Sequence, residues 1–83
     1  MSEIKDYILA NQQKYKEAME EHSSKLRFLL KTEDVLFHAA IVVEFINKAK
    51  SLMSEDICKH LCCNSEEAVI ELESIDIMEF LRV

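Results

Sequence analysis

The chain contains neither glycine nor proline anywhere in its 83 residues. At average usage a chain this long carries about six of the first and four of the second. Every motif built on glycine is therefore missing: the P-loop, the dinucleotide-binding fingerprint and the nucleophile elbow. Tight hairpin turns of types I′ and II′ depend on residues that tolerate positive φ, glycine above all, so a β-rich fold is disfavoured as well. An all-α protein is the expectation, and 83 residues (9.7 kDa) set it at one domain, residues 1–83. Size scaling gives such a domain a folded surface of about 5,100 Å².

Apolar residues are spaced for helices. Ile4, Ile8, Tyr15, Ala18, Leu26 and Leu29, with Asn11 and His22 on the same line, recur in steps of three and four. This predicts one long amphipathic helix over 3–30. Ser23 and Ser24 are the residues most able to interrupt it, because serine competes for backbone hydrogen bonds. Thr32 is placed to cap a second helix over about 33–53, with Glu33 and Asp34 in its first turn. Ten of the twelve residues from Val35 to Ile46 are apolar. They form two faces: Leu36, Ala39, Val43 and Ile46 on one, Phe37, Ile41, Phe45 and Leu52 on the other. Ser54 is placed to cap a short third helix over 55–62. Asn64 followed by Glu67 has capping-box spacing and opens a fourth helix running to about Glu73. Residues 75–83 read either as a last helical turn or two or as a short extended tail. The expected architecture is a long antiparallel helical hairpin, residues 3–53, with two short C-terminal helices packed on it.

The net charge of −6 is unevenly placed. Residues 1–50 carry eight acidic and eight basic side chains, whereas residues 51–83 carry eight acidic ones against Lys59 and Arg82. An acidic segment repels phosphate backbones and anionic lipid, so nucleic acid and membrane surfaces are disfavoured partners. The longest apolar run falls short of the roughly 20 residues a membrane span needs. No apolar h-region follows the first residues, and three cysteines within six positions do not look like a disulfide framework. A reducing, cytoplasmic setting is the expectation.

Cys58-x-His60-x-Cys62-Cys63 is the one stretch that gathers candidate metal ligands and nucleophiles. Cys58 and Cys62, at i and i+4, share a helical face, but structural zinc takes four ligands and no second pair is in sequence. Asp56 and Glu55 beside Cys58 disfavour a reactive thiolate. No metal, no cofactor and no enzymatic activity are expected. Residues 54–72, with Ile57, Leu61, a polar turn, Val69 and Leu72, are similar in spacing to the trihelical units of sigma-factor region 3 and of winged-helix modules. That resemblance implies a helix-turn-helix regulator that binds nucleic acid. Cys62 or Cys63 stands where the turn usually has glycine, and Glu66, Glu67, Glu71 and Glu73 line the helix that would read DNA.

An acidic helical module that binds a protein partner, as an adaptor, chaperone or inhibitor, is the leading expectation, with a homodimer as its simplest form. A second helix apolar on two faces needs cover on both. The first helix, about 42 Å long, would overhang the second, about 30 Å long, leaving Ile4 and Ile8 uncovered. Ile4, Ile8, Phe37, Ile41 and Phe45 are the residues expected to meet the partner.

Overall fold

In the computed structural model, residues 3–31 and 33–83 are described. Among these residues six helices follow in chain order: α1 (Glu3–Ala10), α2 (Gln12–Ala18), α3 (Glu20–Leu29), α4 (Val35–Leu61), α5 (Ser65–Glu73) and α6 (Ile77–Phe80). No strand occurs among the described residues. The fold is all-α, and the expectation from composition holds.

The predicted first helix is present as three segments that share one continuous hydrogen-bond ladder. Asn11 N–H donates to the Tyr7 carbonyl (3.1 Å), Tyr15 to Asn11 (3.1 Å), Met19 to Tyr15 (3.0 Å) and Ser23 to Met19 (2.8 Å). Bends fall at Asn11 (φ −106°, ψ 18°) and Met19 (φ −100°, ψ 4°), not at Ser23 and Ser24. At Asn11 the cause is visible: its own side-chain amide donates to the Tyr7 carbonyl at 2.8 Å, intruding on the ladder. The second bend shifts the buried line. Ile8 and Tyr15 continue into Met19, Ser23 and Leu26, while Ala18 is left exposed.

The chain's longest element is α4, 27 residues or about 40 Å, which matches the molecule's longest dimension of 42 Å. Thr32, the expected cap, lies outside the described residues; Asp34 caps the helix, its Oδ1 accepting from Phe37 N–H at 3.1 Å. No third helix starts at Ser54. Its hydroxyl donates to the Ser51 carbonyl (3.1 Å), satisfying itself within the helix, and α4 runs on to Leu61. The apolar stripe carries it: Phe45, Ala49, Met53 and Ile57, each four residues on, are all buried. The expected overhang is thereby reversed. Because α4 continues past Ser54, and α5 packs on both α1 and α4, Ile8 is buried rather than uncovered.

Three residues join α4 to α5. Cys62 takes the left-handed conformation (φ 53°, ψ 30°) with its N–H on the Cys58 carbonyl at 3.2 Å, the usual place for glycine after a helix. A side chain there costs about 1 kcal/mol. Cys62→Gly is expected to raise stability by about 1 kcal/mol in urea unfolding, with the helical spectrum unchanged. Asn64 caps α5 as its spacing implied, with Oδ1 accepting from Glu67 N–H at 2.8 Å. The C-terminal segment resolves into a helical turn, capped by Asp76 through Glu79 N–H (3.2 Å). Gln12 Nε2 donates to the Phe80 carbonyl (2.8 Å), and Ile77, Phe80 and Leu81 join the core.

Candidate partner-binding surface

Two regions of the molecule carry chemistry, and they lie at different parts of α4. The C-terminal half holds a polar cluster around Asp56. Its Oδ2 accepts hydrogen bonds from Tyr15 Oη (2.6 Å) and Tyr7 Oη (3.0 Å), and its Oδ1 from Lys14 Nζ (2.8 Å). His60 Nδ1 sits 2.9 Å from the Asp56 carbonyl and 3.3 Å from Oδ1, and its ring stacks on Tyr7. Burial pushes the Asp56 carboxyl up, but the donors from Lys14, Tyr15 and Tyr7 outweigh it and hold the group below the usual carboxylate value. Burial first, and then the bonds to Asp56, raise both phenols. Both carboxylate oxygens are engaged by side chains of this chain. The cluster is a clasp that ties α1 and α2 to α4 across more than 40 residues of sequence.

The three cysteines sit at the end of α4 and in the α4–α5 turn, with no disulfide between them. Cys58 faces Cys63, with sulfurs 4.0 Å apart, rather than the Cys62 expected from the i, i+4 spacing. Burial, and then the neighbouring Cys58, push the Cys63 thiol up. His60 is turned to Asp56 and Tyr7. Among the described residues, no three His, Cys, Asp or Glu side chains gather as metal ligands do. The helix-turn-helix order survives only as the last turns of α4 followed by α5, whose Glu66, Glu67 and Glu73 are exposed.

The N-terminal half of α4 is different. With α3 it forms an arm whose end is poorly covered. Phe28 (71 % exposed), Val35 (76 %), Leu36 (83 %), Phe37 (45 %) and Val43 (56 %) are all large, apolar and open to solvent. A cavity of about 320 Å³ opens between α3 and α4. Leu26, Leu29, Phe37, Ile41 and Phe45 line it, with His22, Lys25, Glu44 and Lys48 at its edge. Near the same end, His38 Nε2 is buried without a hydrogen-bond partner.

Three of the five residues expected at a partner surface, Phe37, Ile41 and Phe45, thus line one groove. Phe45 is its buried floor, Ile41 is half-buried and Phe37 is exposed. Ile4 and Ile8 are elsewhere, on α1; Ile8 is spent on the chain's own core and Ile4 is packed against it. The two faces of α4 differ in how far the chain covers them. The aromatic stripe turns inward towards α3 at Ile41 and Phe45, with Phe37 open at its end, while Leu36, Ala39 and Val43 are exposed. The sequence signal for this was the continuation of Phe45 into Ala49, Met53 and Ile57. Only that stripe runs the whole length of α4.

No family model, no curated protein and no solved structure matches this chain. No helix among the described residues is long and apolar enough to cross a membrane.

Proposed function

We propose that this protein is a small acidic interaction module, acting in the cytoplasm as an adaptor or regulator of a protein partner. The uncovered end of the α3–α4 arm is its docking surface. One observation carries this reading. Five large apolar side chains between Phe28 and Val43 are open to solvent at one end of the molecule, where a folded chain gains by covering them. The accessible surface of 5697 Å² agrees with it, exceeding by roughly 600 Å² what a compact monomer of this mass presents. An odd number of cysteines, all within six positions of sequence, fits a reducing compartment better than a disulfide framework.

The occupant best suited to a helical arm with a narrow apolar face is another amphipathic helix. Immobilised protein should capture its partner from native lysate, and Leu36→Glu should abolish that capture. Leu36 is so exposed that the variant keeps its helical spectrum. Ile70→Glu, which alters an exposed apolar residue on α5, should leave capture intact. A protein whose capture survives Leu36→Glu, with no other lost, overturns the reading.

A further inference from the structure

Along the outer face of α4, Leu36, Ala39, Val43 and Ile46 recur at i, i+3, i+7 and i+10, the seam spacing of a coiled coil. Leu36, Ala39 and Val43 are exposed, and Ile46 is half-buried at the edge of the core. The inward stripe of the same helix is Phe45, Ala49, Met53 and Ile57. The seam is therefore additional to what the fold needs. Ala39 within it keeps the surface low, so a second helix can approach closely.

We infer that the occupant of this seam is a second copy of the chain, with the two α4 helices antiparallel across a twofold axis. The inference rests on the docking reading above and names its partner. Charge along α4 selects the copy and its direction. Glu33 stands just before the start of the helix, and Lys50, in heptad register with Leu36 and Val43, about five turns later. Antiparallel pairing sets Leu36 opposite Ile46 of the second copy, and Ala39 opposite Val43. It also brings Lys50 of each copy beside the acidic start of the other. Parallel pairing would instead align acid with acid and lysine with lysine, which is repulsive. Antiparallel helices also align their dipoles favourably.

Elsewhere the charge does not oppose pairing. The first 50 residues are neutral, and the whole excess of −6 lies in the last 33, of which the α4 seam contains none. Size fits a reversible dimer. The seam and the neighbouring Val35 offer on the order of 500 Å² per copy, or about 1,000 Å² for the pair, at the lower limit for a specific interface.

Sedimentation equilibrium across micromolar to millimolar protein tests this. A dimer with a micromolar-range dissociation constant is expected. Leu36→Glu, still helical by circular dichroism, should weaken it by about 100-fold or more. Glu33→Lys and Lys50→Glu should each weaken it about tenfold, and the double variant should restore it to within about threefold. A wild-type chain that stays monomeric throughout overturns the inference. So does a dimer indifferent to Leu36→Glu, or one that the double reversal fails to restore. A monomer whose lysate partner is still lost on Leu36→Glu overturns the second copy alone and leaves the docking reading standing.

Discussion

Asp56→Ala is expected to lower folding stability by about 3 kcal/mol, and thereby the melting temperature by roughly 12–25 °C for a domain of this size. The loss is large because three donors converge on one carboxylate and only some can turn to water. Tyr15 is fully buried, so its hydroxyl is left without an acceptor, at about 1–3 kcal/mol. Tyr7 and Lys14 are more exposed and are rehydrated at smaller cost. The clasp also fixes the approach of α1 and α2 to α4, so its loss loosens the packing of Ile8 against the core. Asp56→Asn keeps an acceptor for Tyr15 but sets an amide donor against the remaining ones, and should cost about half as much. Urea unfolding followed by helical circular dichroism measures both. The wild-type carboxyl is held below its ordinary value in the folded state. Its contribution is therefore present above the unfolded carboxylate pKa near 3.8 and is lost as pH falls through the lower folded value. Asp56→Asn should lack that part of the acid transition. An Asp56→Ala protein as stable as wild type would show that the clasp is incidental to the fold.

Local signals are legible in this sequence, and long-range ones are not. Asn64 with Glu67 announces a helix start because the cap acts within four residues. The absence of glycine and proline announces helices because both act on their own backbone. Ser54 misleads, because the same hydroxyl that caps a helix can bond back to a carbonyl within one. Spacing shows that Phe37, Ile41 and Phe45 share a face, but not which of α4's two apolar faces meets the first helices. That choice depends on how far the stripe continues, and only the stripe through Met53 and Ile57 reaches α1 and α5. The Asp56 clasp had no local signature. Tyr7 and Tyr15 stand 49 and 41 residues from it, and Tyr15 looks in sequence like one more apolar seam residue. Ile4 and Ile8 lack cover only if the second helix ends at Ser54. Once α4 is extended, their cover is supplied by the chain itself. The same extension leaves the other end of the molecule, around Leu36, as the open one.

Alkaline titration is expected to unfold this protein in step with the ionisation of its phenols. The chain has two tyrosines and no tryptophan, and both hydroxyls bond to Asp56. Phenolate absorbance therefore reports on the clasp alone. Burial, and then the adjoining carboxylate, raise both groups above the ordinary value near 10, Tyr15 most of all. A group whose folded pKa is raised contributes stability that is complete below its unfolded pKa and is lost as pH climbs towards the folded one. Above pH 10 the unfolded chain releases protons that the folded chain keeps. The buried Tyr15 alone then costs about 1.4 kcal/mol of stability per pH unit. Tyr7, half exposed and screened by water, adds less. Three to four pH units thus remove about 4–6 kcal/mol, enough to unfold a small domain whose total lies at the low end of about 5–15 kcal/mol. The phenolate band should accordingly rise above its normal midpoint and coincide with the loss of helical signal. Tyr15→Phe should uncouple the two, leaving one partly exposed phenol, Tyr7, that ionises before Tyr15 would while the helices persist. Two phenols ionising together at pH 10 in a fully helical protein would mean that Asp56 does not hold them.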